Sequence, residues 1–149
     1  MDEKLINVTI DGTVIAVPRG TKIIDACARA GITIPTLCYL ADVSSYGSCG
    51  ICVVEVENSR RLVRSCMHTV TEAMVIRTHT PRVLHARTVN VELLLANHPL
   101  LCTACERNLS CELQALAHRL GVRESRFGRT KTKFEEVDRT SPSLVRDPN

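Results

Sequence analysis

The chain has 149 residues, 44% hydrophobic, 23% charged and 3% aromatic, with no Trp and a formal net charge of +3. That composition is globular, and no apolar run reaches the roughly 18 residues a membrane span requires. So small a charge and so few aromatic rings give little drive onto a phosphate backbone and little platform for stacked bases, so neither nucleic acid nor direct membrane insertion is expected. Cysteine is the outlier, at Cys27, Cys38, Cys49, Cys52, Cys66, Cys102, Cys105 and Cys111. Met1-Asp2-Glu3-Lys4 lacks the apolar segment of a secretory signal. The expected compartment is therefore the reducing cytoplasm, where clustered thiols read as metal or cofactor ligands rather than disulfides.

In chain order, the first expected element is a hairpin. Leu5–Ile10 alternates, Asp11-Gly12 is the turn, and Thr13–Val17 returns before Pro18-Arg19-Gly20 breaks the strand. A short helix follows, with Thr21 as its cap and Gly31 at its end; Ile24, Cys27, Ala28 and Gly31 share one face, which makes Cys27 a core residue. Residues 43–50 form a Ser/Gly-rich loop. Ile51–Glu57 is strand-like, Asn58-Ser59-Arg60 turns, Arg61–Cys66 returns, and Ala73–Arg77 is one more strand. The sum is a small α+β domain ending near residue 78.

The second half reads as helical. Thr80-Pro81 is a helix start, and Arg82–Asn97 carries a packing stripe of Leu84, Thr88, Val91 and Leu95 until His98-Pro99 stops it. A Cys-rich loop covers 99–110. Cys111 opens another helix with Leu113, Leu116, Ala117 and Leu120 on one face and Gly121 after its end. The expected divisions are thus 1–78, 79–121 and an extended, polar 122–149.

Two sets of four ligands stand out. Cys38-x10-Cys49-x2-Cys52-x13-Cys66 can hold zinc or an iron–sulfur cluster. Iron–sulfur is favoured because Cys49 and Cys52 share a glycine-flanked loop, Tyr46-Gly47-Ser48-Cys49-Gly50-Ile51-Cys52, whose backbone N–H groups can approach sulfur closely. A zinc ribbon more often shows two tight Cys-x2-Cys knuckles, and here there is one. The second set, His98-x3-Cys102-x2-Cys105-x5-Cys111, fits a Cys3His zinc site or a [4Fe-4S] cluster with one imidazole ligand.

Together with the intervening helix and the run Cys105-Glu106-Arg107-Asn108-x2-Cys111-Glu112-Leu113-Gln114, these sets resemble the N-terminal region of three related groups. They are the [FeFe]-hydrogenase catalytic subunits, the largest peripheral subunit of respiratory complex I, and NAD-linked formate dehydrogenases. The resemblance covers residues 4 to about 121. It implies a β-grasp, ferredoxin-like domain with [2Fe-2S] on Cys38, Cys49, Cys52 and Cys66, then a helical domain with [4Fe-4S] on His98, Cys102, Cys105 and Cys111. Ser141–Asn149 is similar to the stretch preceding a further Cys-x2-Cys-x2-Cys module, which implies either a fragment or a small stand-alone subunit.

The implied function is a two-cluster electron relay in a multi-subunit oxidoreductase with flavin/NAD-binding and catalytic subunits as partners. An NAD(P)- or ferredoxin-linked [FeFe]-hydrogenase is favoured over formate dehydrogenase or a complex I-like enzyme, and a zinc-stapled docking module is the dissenting class. No Ser/His/Asp set, paired carboxylates or phosphate-cradling loop marks a bond-making site in this chain. His68, His79, His85 and His118 lack ligand partners at suitable spacing, although His68 follows Cys66 closely. Arg60, Arg61 and Arg64 read as a solvated strand edge. Tyr39 and Tyr46 flank the first set and could shield it.

Overall fold

The structure, a computed structural model, describes residues 4–41, 43–128 and 137–145, with the backbone alone at Ser44. The sequence readings at residues 1–3 and 146–149 lie outside them. The chain divides into two compact units, residues 1–91 and 92–149.

The first unit begins with the expected hairpin. β1 (Leu5–Ile10) pairs antiparallel with β2 (Thr13–Pro18) in a register that sets Ile10 opposite Thr13. Asp11 and Gly12 both have positive φ, 46° and 87°, as a two-residue hairpin turn with the twist of its strands needs. α1 (Ile23–Arg29) follows, then a two-stranded ribbon, β3 (Tyr39–Leu40) with β4 (Ser44–Ser45), of which β4 falls inside the 43–50 stretch that the sequence reads as loop. β5 (Val53–Val56), β6 (Val63–Arg64) and β7 (Val75–Arg77) complete the main sheet, in the order β2-β1-β7-β5-β6. β7 runs parallel to β1 and antiparallel to β5, so the last strand slots between the first hairpin and the second. That mixed sheet, with α1 packed in the crossover, is the β-grasp, α+β architecture expected.

The core beneath α1 comprises Ile6, Val8, Ile10, Val17, Ile23, Ala26, Cys27, Val54 and Ile76, each nearly or fully buried. Two details of α1 differ from the sequence reading. Ala28 and Gly31 are exposed, and Ile23 and Ala26 join Ile24 and Cys27 on the inner face. Thr21 does not cap the helix: its hydroxyl donates to Pro18 O at 2.7 Å, and Lys22 occupies the cap position without a side-chain bond.

α2 (Pro81–Ala96) starts as expected, with Val83 N–H donating to Thr80 Oγ1 at 3.2 Å. Of the expected stripe Leu84-Thr88-Val91-Leu95, Val91 is buried as expected, whereas Val83 and Arg87 take the places expected for Leu84 and Thr88. Val83, Arg87 and Val91 are buried, while Leu84 is 38% exposed. The boundary between the units falls inside this helix, after Val91.

The second unit contains the end of α2, a 3-10 turn (Cys102–Ala104) and α3 (Glu112–Arg119). Among its described residues Ala96, Leu116 and Ala117 are the buried apolar side chains. Glu92 is also buried and receives a bidentate pair from Arg126, at 3.0 and 2.7 Å, while Ser125 Oγ donates to Glu92 O at 2.8 Å. Among the described residues no helix is long and apolar enough to cross a membrane.

Cys27 is fully buried, and burial pushes its thiol from the ordinary 9.0 up to about 11. Because the folded-state value is raised, the unfolded chain loses this proton first, and stability falls as pH rises from about 9 towards 11. The expected loss is on the order of 2 kcal/mol. Urea unfolding of wild type and Cys27→Val across this range should show the steeper decline in wild type; parallel curves would contradict a buried, protonated thiol.

Candidate metal centres

The first centre is built on Cys38, immediately before β3, on the loop between β4 and β5, and on the segment after β6. Cys38 Sγ and Cys49 Sγ lie 3.3 Å apart, as do Cys52 Sγ and Cys66 Sγ. The first pair is partly exposed, and the second is buried at 1% and 0% exposure. Two thiolates on one tetrahedral metal with bonds of about 2.3 Å sit about 3.7 Å apart, so each pair is spaced to share one metal atom after a small outward adjustment. The four sulfurs are near enough that Cys66 feels the charges of Cys52, Cys38 and Cys49. Among the described residues no group of three or more His, Cys, Asp or Glu side chains could hold a single ion. A two-and-two grouping suits a binuclear iron–sulfur centre, with one pair per iron, rather than mononuclear zinc.

Backbone geometry supplies the rest of the fit. Cys38 is subject to an upward push from burial, but the N–H groups of Cys49 and Ser48, with the Ser48 hydroxyl and the Cys49 thiol, outweigh it and bring the thiol down from 9.0 to about 7. Cys49 is raised, mainly by burial and by Cys38, although the N–H groups of Ile51 and Leu37 are directed at its sulfur. Cys66 is pushed up to about 12 by burial and by its bond with Cys52. A positive metal core would reverse the repulsive part of these shifts, since ligation requires thiolates.

Two glycines permit this loop. Gly47 has φ +62°, and a Cβ there would collide with the Met67 side chain. Gly50 has φ +65°, and a Cβ there would meet Asn90 Nδ2 at 2.8 Å.

Cys66 is located by its neighbours. Ser65 is buried and donates to Cys52 O through its N–H at 3.1 Å and its hydroxyl at 2.8 Å. Ser65 O and His68 O in turn accept the Ile24 and Ile23 N–H groups of α1, at 3.1 and 2.8 Å.

Sequence reasoning missed two side chains of α2. Arg87, 2% exposed, donates from Nε to Ile51 O at 3.1 Å and from Nη2 to Val53 O at 2.9 Å. Asn90 Nδ2 donates to Gly50 O at 2.8 Å. The signal was the four-residue spacing of Val83, Arg87 and Val91, which is recognisable only if arginine is allowed on the buried face.

The second centre lies in the second unit. His98, Cys102 and Cys111 line one pocket of ≈ 360 Å³, together with Leu113, Ala117 and Ser125. Cys105 is exposed and is not among the lining residues. Its N–H donates to Cys102 O at 3.2 Å, which closes the turn between those two cysteines. Cys111 takes the N-cap position of α3. Gln114 of that helix folds the preceding loop back, accepting the Leu109 N–H at 3.1 Å and donating to Asn108 Oδ1 at 3.2 Å. The structure thus brings His98, Cys102 and Cys111 to the wall of one pocket and leaves Cys105 on the adjoining turn.

Of the other residues considered, Arg60, Arg61 and Arg64 are exposed. Tyr46 is 78% exposed, so it shields little, whereas Tyr39 is held by Asp25 at 3.3 Å and by Lys22 over its ring. His68 is hydrogen-bonded to Arg64 O at 3.1 Å.

Fold and thiol pairing together define an iron–sulfur protein of ferredoxin-like architecture. The chain belongs to the 2Fe-2S iron-sulfur cluster binding domain family, whose model matches residues 3–81, and residues 87–126 match the iron-sulfur binding region of NADH-ubiquinone oxidoreductase-G. These matches give the chain one [2Fe-2S] and one [4Fe-4S] cluster. It is 43% identical over 148 residues to the NADP-reducing hydrogenase subunit HndD of Solidesulfovibrio fructosivorans, covering 96% of this chain and 25% of that protein. It is 42% identical over 132 residues to the NADH-ubiquinone oxidoreductase 75 kDa subunit of Reclinomonas americana, covering 89% and 19%. The chain thus spans a quarter or less of these curated relatives. Among solved structures it resembles an NAD+-reducing [NiFe]-hydrogenase in the H2-reduced state, with TM-score 0.82, 29% identity, and coverage of 95% of this chain and 59% of that one.

Gly50→Ala imposes a left-handed backbone on an L-residue and drives its Cβ into Asn90. A loss of about 1–3 kcal/mol is expected, read as a lower urea midpoint for bleaching of the visible iron–sulfur absorption. An unchanged midpoint would mean that the loop does not need this conformation.

Proposed function

We propose that the chain is the two-cluster electron-relay segment of a multi-subunit, NAD(P)-linked hydrogenase acting in the cytoplasm. In this reading Cys38 and Cys49 hold one iron of the [2Fe-2S] cluster and Cys52 and Cys66 hold the other, while His98, Cys102, Cys105 and Cys111 hold the [4Fe-4S] cluster. The observation that carries it is the grouping of the first four thiols as two pairs at 3.3 Å. When bound, the clusters supply one-electron valence changes at iron, with no bond-making step. The chain's own residues bind and orient. Ser48, Cys49 and Ile51 aim N–H groups at sulfur, Ser65 and α1 hold the Cys66 segment, and Leu113 and Ala117 form an apolar part of the pocket wall at the second centre.

The hydrogenase assignment draws support from the relative named as an NADP-reducing hydrogenase subunit and from the similar NAD+-reducing hydrogenase structure. The [FeFe] type belongs to the sequence resemblance. Partner subunits of the flavin/NAD-binding and catalytic kinds follow from the same reading, because in it no residue of this chain binds a nicotinamide or activates hydrogen. A complex I-like NADH dehydrogenase is the second reading, favoured by the 42% identical relative and by the match over 87–126.

Anaerobically purified chain should hold about six irons with two distinct EPR signals after dithionite reduction. Cys49→Ala should lose about two irons and only the [2Fe-2S] signal. His98→Ala should spare that signal and alter only the second. Zinc in place of iron, in folded material never exposed to oxygen, would leave the docking-module reading.

A further inference from the structure

The segment that carries Cys49 and Cys52 has four successive carbonyls, on residues 50 to 53, and every one accepts a hydrogen bond from elsewhere in the first unit. Asn90 holds Gly50 O, Arg87 holds Ile51 O and Val53 O, and Ser65 holds Cys52 O. In a trans peptide the N–H points away from the C=O across the same plane. The bond from Asn90 to Gly50 O therefore fixes where the Ile51 N–H points, and that N–H is directed at the Cys49 sulfur. The Arg87 bond to Ile51 O fixes the next plane, which carries the Cys52 N–H. Donation to a carbonyl also polarises its amide and makes the N–H on the other side a stronger donor.

We propose that Asn90 and Arg87 are positioning residues for the first cluster, which orient the loop amides between Cys49 and Cys52 and so raise the reduction potential of the [2Fe-2S] centre. The inference rests on the electron-relay reading above. Reduction adds one negative charge to the cluster, and N–H dipoles aimed at its sulfurs favour that charge. The permanently charged guanidinium buried against the same loop acts with the same sign. A purely structural role would be served by any side chain that leaves the loop folded, whereas this role requires a donor at the Gly50 carbonyl.

The test is a redox titration of the full chain followed by EPR, with the second cluster's signal as the internal control. At a solution potential equal to the wild-type midpoint, Asn90→Leu, close in size and unable to donate, should lower the reduced-to-oxidised ratio of the [2Fe-2S] signal by about tenfold, equivalent to about 59 mV for one electron. The second signal should titrate as in wild type. Arg87→Lys, which keeps the charge but loses the fork, should shift the ratio less than Arg87→Met. Should Asn90→Leu fail to take up iron, Asn90→Ser, too short to reach Gly50 O, should show the same lowering. A fully loaded Asn90 variant with an unchanged ratio, or one in which both clusters shift equally, overturns the inference. Absence of a [2Fe-2S] signal in wild type itself would overturn the relay reading, and the inference with it.

Discussion

A loop that turns its amide N–H groups towards sulfur must turn its carbonyls the other way, and buried carbonyls need donors. Residues 50–53 meet that constraint through Asn90, Arg87 and Ser65, and much of the first unit follows from it. Gly50 is required because its backbone has φ +65° and because Asn90 stands where a Cβ would go. A buried arginine is costly unless its donors are used, and here the fork spans two carbonyls of one strand entry. The sheet alone could not supply these bonds, because β5 begins only at Val53 and pairs with β6 over Val53 and Val54. A helix packed on the loop can, which explains why the first unit extends through Val91 of α2.

The same logic accounts for the uncapped start of α1. Its first N–H groups lack a side-chain acceptor, which would ordinarily count against a short helix. They are instead used on Ser65 O and His68 O, either side of Cys66. Thr21 is occupied on both sides, its hydroxyl on Pro18 O and its carbonyl accepting the Val70 N–H at 2.9 Å. The helix terminus thus holds the fourth cysteine against the first three, and its cap is tertiary rather than local.

What the sequence made legible was whatever is encoded locally. Asp11-Gly12 specifies its turn through two residues that tolerate positive φ, and Thr80-Pro81 specifies a helix start, because each depends on residues within a few positions. The β-grasp order and the function class came from resemblance rather than from periodicity. The missed features were bonds between distant parts of the chain. Arg87 lies 36 residues from Ile51, and Asn90 lies 40 from Gly50. An expectation that a charged side chain stays off the buried stripe therefore selected Leu84 and Thr88 instead. The short β3–β4 ribbon escaped for a related reason: two-residue strands are made by pairing rather than by propensity.

The two centres are held in different ways, and the difference follows from how much core each unit has. In the first, the thiols of Cys52 and Cys66 are buried in a continuous apolar core, and the loop that bears Cys49 and Cys52 is tied down by side chains from α2. Its sulfurs are thus gathered by the fold, at the cost seen in the raised Cys49 and Cys66 thiols. In the second, the described buried apolar side chains amount to Ala96, Leu116 and Ala117, and Cys102 and Cys105 are exposed. Gln114 and the Glu92–Arg126 pair order its loops locally, against a chain entropy on the order of 1–2 kcal/mol for each residue ordered. On the proposed ligand set, binding at His98 and the three cysteines would supply folding energy, as in other small metal-dependent domains. In that reading the first centre is a site that the fold prepares, and the second would be a fold that the site completes.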